Sequence, residues 1–303
     1  MALSNVVKAK FGKESNWGAA ATPTVLLPFS SFTADPEADE IIDDSTRGDA
    51  SMDYAVYVGM KRVNIEIESP AWPDEVGYFL HGIMGTSAYA STTHTFSVGS
   101  SVPSFTFHDD TSVYNRAYAG CQVSSFSLRF NRAEGMVTMN AKLLGKSAST
   151  ETVVAIADAT AKPFLGWQGT FNVAGAATAQ LISGELTWER GQEASPHANN
   201  SQDMARLDTG RIRYTGSLVL DGASDLLAKY LAGTREAIVI SFTNADSKVL
   251  TITSTDTSYL KDQMTRDMGG TAIRYNVGIR GVRNSTDGGP CKVTLTNTRT
   301  TVY

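Results

Sequence analysis

The sequence predicts a mainly β fold made of two tandem β-sandwich or half-barrel units, each carrying one short packed α-helix. Three observations predict it. Apolar and polar residues alternate with period two along most of the 303 residues. Two short stretches replace that rhythm with a helical stripe, nearly half a chain apart. The elements around these two stretches follow one order twice.

The strands are read from the alternation. VNIEIES puts Val63, Ile65 and Ile67 on one face and Asn64, Glu66 and Glu68 on the other. SSFSLRFNR sets Phe126, Leu128 and Phe130 against Ser125, Ser127, Arg129 and Asn131, and MVTMNAKLLG aligns Val137, Met139, Ala141 and Leu143. Later, RIRYTGSLVL places Ile212, Tyr214, Gly216, Leu218 and Leu220 on one side, and GELTWERG, AIVISFT, VLTITST, IRYNVGIRG and KVTLTN read similarly. Half-buried strands of this kind belong to antiparallel sheets with one wet face.

The first helix is expected in PAWPDEVGYFLHGIMG. Val76, Phe79, Leu80, Ile83 and Met84 fall at i, i+3, i+4, i+7 and i+8, a stripe wide enough to cover a sheet. Pro73 suits a first turn, Asp74 and Glu75 favour the positive helix end, and Gly85 provides the stop. The second helix is expected in DGASDLLAKYLAG, with the stripe Leu226, Leu227, Tyr230 and Leu231, Ser224 as N-cap and Gly233 as terminator. Each is only about three turns long, too short to persist alone in water, so each must be packed against a sheet.

A strand enters each helix, and a hairpin is expected after each: THTFSVGSSVPSFTFHDD and AIVISFTNADSKVLTITST. Further paired strands follow in CQVSSFSLRFNRAEGMVTMNAKLLG and TAIRYNVGIRGVRNSTDGGPCKVTLTN. A long polar stretch, read as a loop, precedes each entering strand: Thr33 to Asp53 and Gly191 to Gly210. The repeated order gives two units, residues 1–150 and 151–303, joined near residues 148–162.

Composition narrows the function. Apolar residues are 42% and charged residues 19%, within the globular range, and no apolar run approaches a membrane span. The N-terminus lacks a signal-like hydrophobic core. Two distant cysteines, Cys121 and Cys291, make no disulfide framework and suit a reducing compartment, though whether they pair is open. The net charge of −5 is opposite in sign to that of a protein that grips nucleic acid.

Catalytic and metal motifs are missing from the sequence pattern. His81, His94, His108 and His197 show no ligand spacing, and no nucleophile elbow, phosphate loop or dinucleotide fingerprint occurs. No cofactor is expected. His81 lies off the apolar stripe and reads as an exposed or interface residue; HDD at His108–Asp110 reads as a strand end turning into solvent. Residues 35–53 hold eight carboxylates and one arginine. Three readings stay open for that stretch: a calcium site without EF-hand order, a solvated loop, or a protein-contact loop. A rival to any assembly role is a monomeric β-sandwich module that recognises carbohydrate or a host surface through Trp17, Trp72, Trp167 and Trp188.

The stretches GKESNWGAAATPTVLLPFSSF, DDSTRGDASMDYAVYVGMKRVNIEIESPAWPDEVGYFLHGIMG, CQVSSFSLRFNRAEGMVTMNAKLLGK and KPFLGWQGTFNV with LISGELTWERG resemble the major tail tube proteins of long, non-contractile-tailed bacteriophages. The resemblance covers nearly the whole chain and rests on element order with scattered Gly, Pro and aromatic positions. It implies a structural virion protein, not an enzyme, assembled in the host cytoplasm. Its units would close into a ring barrel, and stacked rings would form the conduit for genome ejection. Two units per chain imply a trimeric ring of pseudo-sixfold symmetry, with a hexameric ring as the alternative. The implied partners are tape-measure, tail terminator and distal tail proteins, with genomic DNA passing through unbound and no membrane. Ring-stacking candidates are Asp35, Glu37, Asp39, Glu40, Asp43, Asp44, Arg47 and Asp49, and candidates for a neutral or negative lumen are Glu66 and Glu68. The arm from Met1 to Trp17 and the tail NTRTTVY would strap neighbouring rings.

Overall fold

The computed structural model describes residues 7–48, 52–111, 114–133, 135–157, 161–178, 181–195, 200–221, 226–267 and 274–303. In chain order come β1 (Lys8–Lys13), β2 (Val25–Leu27), β3 (Ser31–Asp43), β4 (Ala55–Pro70), α1 (Val76–Met84), β5 (Gly85–Ala90), β6 (Thr93–Val98) and β7 (Phe105–Asp110). Then follow β8 (Asn115–Asn131), β9 (Thr138–Gly145), β10 (Ser147–Thr150), β11 (Gly169–Val173), β12 (Ala176–Thr178) and β13 (Leu181–Ser195). The last are β14 (Arg206–Asp221), α2 (Leu226–Leu231), β15 (Arg235–Thr243), β16 (Val249–Asp267), β17 (Arg274–Gly281) and β18 (Lys292–Thr296).

The alternating strands build one central antiparallel sheet in the order β3–β4–β9–β8–β13–β14–β17–β16. Only the C-terminal parts of β8 and β16 belong to it. The N-terminal part of β8 pairs instead with β7 and β10, and β1 and β2 continue beyond β7. The N-terminal part of β16 likewise pairs with β15 and β18, and β11 and β12 continue beyond β15. A hairpin, β5–β6, pairs with β18 and has no counterpart among the described residues of the second half.

The two strand pairs that open the central sheet share one register. Ser31 faces Glu68 and Asp43 faces Ala55; in the second pair Ser183 faces Val219 and Ser195 faces Arg206. Both carry a bulge at the matching place, where Asp39 lies opposite Gly59 and Met60, and Gly191 opposite Gly210 and Arg211; β13–β14 has a second irregularity between Leu181 and Ser183. Glycine is needed there: a Cβ on Gly210 would lie 2.4 Å from the Gly191 carbonyl oxygen.

An aromatic ladder runs through the core across the β8–β13 seam. Phe79 stacks on Phe126 at 6.3 Å, Phe126 meets Trp188 at 5.7 Å, and Trp188 meets Tyr214 at 5.1 Å. Each such pair adds about 0.5–1.5 kcal/mol beyond its burial. The Trp188 indole N–H donates to Cys291 Sγ at 3.0 Å; both cysteines are buried free thiols.

α1 forms where the helical stripe predicts it, and the Gly85 stop is confirmed: its φ is +95° and its N–H donates to the His81 carbonyl. All nine helix residues are buried, so Val76, Phe79, Leu80, Ile83 and Met84 are joined inside by the rest. Pro73 precedes the helix, in the turn before it. The small residues Gly77 and Gly82 let Tyr303 and Val123 approach closely. This packing explains why His81 is buried instead of exposed.

Several expectations are corrected. Strands 93–98 and 105–110 do not form a hairpin with each other: β6 pairs with β5 and β18, while β7 pairs with β1 and β8. β17 and β18 are likewise not partners, since both lie against different parts of β16. Residues 33–43 and 191–195 are strand, not loop, as are 206–210. β3 extends past the core, so a polar strand costs it little burial. The tail NTRTTVY folds back on its own α1: Tyr303 is buried and its ring lies 4.8 Å from Tyr78.

Candidate assembly surface

Period two sends the polar residues of the central sheet to one broad face. Glu66 and Glu68 of β4, Asn140 and Lys142 of β9, Ser125, Ser127 and Arg129 of β8, and Glu185 and Thr187 of β13 line one shallow depression there. The lumen candidates Glu66 and Glu68 therefore share a surface. Two of its three carboxylates are paired: Lys142 Nζ lies 3.2 Å from Glu66 Oε1, and Arg129 Nη2 lies 3.3 Å from Glu185 Oε2, while Glu68 forms no ion pair among the described residues. Toward the hairpin tip, Arg62 pairs with Glu37 at 2.9 Å and Asp39 at 3.2 Å, and the Glu37 hydrogen bond raises the guanidinium pKa.

The stacking candidates are spread along one hairpin. Asp35, Glu37, Asp39, Glu40 and Asp43 lie on β3, while Asp44 and Arg47 lie in the turn after it. Asp43 accepts from the Ser45 hydroxyl and from Arg47, and the Ser45 bond holds its carboxyl below the usual range. Asp49 lies outside the described residues. The carboxylates are thus strung along a strand or engaged with arginine, and no cluster of metal-ligating side chains occurs among the described residues.

Sequence reading missed the apolar character of this hairpin. Ile41, Ile42, Met52, Val56, Tyr57 and Val58 are all exposed. Such a patch marks an interaction surface. Beside it, the loop after β13 reaches across: the Lys61 N–H donates to the Gln202 carbonyl at 2.8 Å, and the Gln202 amide donates to the Val58 carbonyl at 2.9 Å.

The two helices differ in cover. Arg190 of β13 is 4% exposed and reaches α1, donating to the carbonyls of Ile83 at 3.0 Å and Met84 at 3.3 Å. It also donates to Gly99 O at 2.6 Å and Gly210 O at 3.2 Å. A cation at a helix C-terminus satisfies carbonyls that have no partner within the helix. At α2, Tyr230 packs partly against the core, but Leu231 is 73% exposed. The side chains of Leu226 and Leu227 lie outside what the structure describes.

The remaining sequence candidates are structural. His94 is buried, its Nε2 lies 3.1 Å from the Arg299 carbonyl, and its ring packs on Tyr303. His108 is not turned into solvent: it is buried in β7, with Nε2 3.0 Å from Ala21 O and Nδ1 paired with Glu151. His197 lies outside the described residues. Of the four tryptophans, Trp188 is core, Trp17 donates to Gly120 O, Trp72 is half-buried and Trp167 is exposed, so they form no shared platform.

No described helix is long and apolar enough to cross a membrane. A search of curated proteins found no match. The family model for the phage tail tube protein matches residues 4–295, nearly the whole chain, and the chain is a member of the phage tail tube protein family, a structural component of the virion tail.

Proposed function

We propose that the chain polymerises as rings of three copies that stack into the tail tube and enclose the path of the ejected genome. Family membership supports the structural role, and one observation supports this geometry. The central sheet ends in two unpaired margins: among the described residues, no strand pairs with the outer edge of β3 or with the outer edge of the C-terminal part of β16. The same two kinds of edge already meet inside the chain, where β8 pairs with β13.

The internal repeat reads as two tandem tube units, residues 1–150 and 151–303. β3, β4, α1, β8 and β9 occupy the places of β13, β14, α2, β16 and β17 in the strand order. Joining β16 of one copy to β3 of the next repeats the internal seam and removes both edges. Each chain brings eight strands to the central sheet, so three chains close a barrel of twenty-four (3 × 8). Pro36 and the carboxylates of β3 guard that edge against random pairing before assembly.

The polar sheet face becomes the lumen. Its depression, with both cations paired and Glu68 left over, fits a weakly negative lining, since unpaired lysine and arginine would retain DNA by releasing counterions. The hairpin β3–β4 and the loop after β13 point to contacts between rings. Tape-measure, terminator and distal tail proteins would meet the two ends of the tube. Negative-stain microscopy and sedimentation of the purified chain test the reading: annular or tubular particles are expected. A chain that stays at 32.4 kDa at every concentration overturns it in favour of a solitary binding module.

A further inference from the structure

A lysine is almost never fully buried unless its charge is answered. Lys10 of β1 is 2% exposed, and its ammonium meets the carboxylate of Asp110 on β7. The two strands are antiparallel neighbours in which Lys10 lies opposite His108, so Lys10, His108 and Asp110 share one face.

The segment that leads out of β10 roofs this face. The Glu151 N–H donates to the Asn115 carbonyl at 3.1 Å, and the Glu151 carboxylate pairs with His108 Nδ1. Three residues on, the Val154 carbonyl accepts a hydrogen bond from Lys10 Nζ. The lysine nitrogen is therefore held between one carboxylate and one backbone oxygen, beneath a cover of its own chain.

As an ion pair this site is costly, because desolvating two opposite charges consumes much of what their attraction returns. A neutral product avoids that cost. Groups fixed in contact by a sheet register also react as if at very high concentration, and a site from which water is largely excluded holds little to reverse a condensation.

We propose that Lys10 and Asp110 condense into an isopeptide bond, a covalent tie between β1 and β7 that needs no cofactor. A first proton passes from the ammonium to the carboxylate in contact with it, leaving a neutral amine beside a protonated carboxyl. The amine attacks Asp110 Cγ, the Nζ–Cγ bond forms, and the bond from Cγ to the protonated oxygen breaks. That oxygen takes a second proton from the nitrogen and leaves as water. One cation and one anion become a secondary amide, whose single remaining N–H is the one Val154 O needs. Glu151 and His108 are positioning residues: their pair holds the roofing segment, and Val154 O aims the nitrogen. The tie joins residues 100 apart in the chain, so it closes a long loop and restricts the unfolded ensemble. It forms within one copy and does not depend on the ring.

Mass spectrometry of the purified, denatured full chain tests this. The expected mass lies one water below that of the sequence, and digestion should give a branched peptide that joins the Lys10 and Asp110 fragments. Lys10→Arg and Asp110→Ala should each show their own full sequence mass. Glu151→Gln should condense at least about tenfold more slowly than the wild type, since small misplacements of a reacting group are costly. A folded wild type that keeps its full sequence mass on ageing overturns the bond and leaves an ion pair. A lost water with no peptide joining Lys10 to Asp110 overturns the assignment of the two residues. Condensation of Glu151→Gln at the wild-type rate overturns the positioning role.

Discussion

Arg190 donates its Nη1 to the carbonyl oxygen of Ile83 at 3.0 Å, tying a strand of the second half of the chain to the last turn of the first-half helix. Four carbonyls share this guanidinium, which burial pushes below its ordinary pKa. Replacing it by alanine removes the donor from the Ile83, Gly99 and Gly210 carbonyls, while Met84 O keeps the Gly99 N–H at 2.7 Å. Arg190→Ala is expected to cost about 3 kcal/mol, and Arg190→Lys only somewhat less, because an ammonium lacks the planar fork. Thermal unfolding measures both; a variant that melts with the wild type would show that the helix end does not depend on this residue.

Gly77 leaves room for the last residue of the chain. A Cβ there would lie 2.1 Å from the Tyr303 ring, while Tyr303 shares hydrogen bonds with Asn297 and Asp74 O. Gly77→Ala is expected to expel the tail and lower stability by about 1–3 kcal/mol. Deleting Tyr303 should cost stability by itself, yet make Gly77→Ala nearly neutral in that background. A double-mutant cycle reads the coupling, and additive losses would show that the two sites act independently.

Much of this architecture was legible in local pattern. Val63, Ile65 and Ile67, or Phe126, Leu128 and Phe130, announce their strands because one face is buried and the other wet. β3 was misread although Phe32, Ala34, Pro36 and Ala38 do alternate with Thr33, Asp35, Glu37 and Asp39. Dense carboxylates and small inward residues hide the period where a hairpin outruns its core. His108 was misplaced because Phe105 to Asp109 are buried on both faces, which erases alternation. Arg190 carried a usable signal, since period two places it on the face of Leu186 and Trp188. The exchange of partners along β8 and β16 depends on long-range pairing that no window of sequence contains.

Glu75 predicts a pH dependence. It sits at the start of α1 almost wholly buried, and burial pushes its carboxyl up to about 7. A carboxyl raised in the folded state binds its proton there while the unfolded chain releases it. The Glu75 contribution is therefore full below about pH 4.5 and is lost as pH rises toward 7. Glu75→Gln should remove that slope and stabilise the protein at pH 8 by about 3 kcal/mol. Denaturant unfolding at pH 5 and pH 8 decides the matter: equal slopes for the two proteins would refute it.

His81 gives the opposite slope. Burial, with Lys13 nearby, lowers its pKa to about 4. The folded protein then binds fewer protons than the unfolded chain between about pH 6.5 and 4, so stability present above that window is lost as pH falls through it. His81→Gln should remove this loss of about 3 kcal/mol and, because the Glu75 window overlaps it with opposite sign, leave the Glu75 slope uncompensated between about pH 4.5 and 6.5. An acid limb that persists in the variant would assign it to other groups.

The polar sheet face makes the last prediction, and it bears on which way the sheet turns. Glu66 is paired with Lys142 but more than half exposed, and Glu68 beside it is exposed too, so reversing both charges should leave the fold and melting point of the single chain within about 0.5 kcal/mol. If this face lines the channel, tubes of Glu66→Lys/Glu68→Lys present rings of cations to anything inside. Short double-stranded DNA should then be retained by the variant tubes at low salt and released as salt rises, with a slope that steepens with the number of phosphates contacted. Wild-type tubes should retain none at about 0.15 M salt. Retention by intact tubes whose ends are blocked by end-binding protein would instead mean that the altered face lies outside, and the lumen would have to be sought on the opposite side of the sheet.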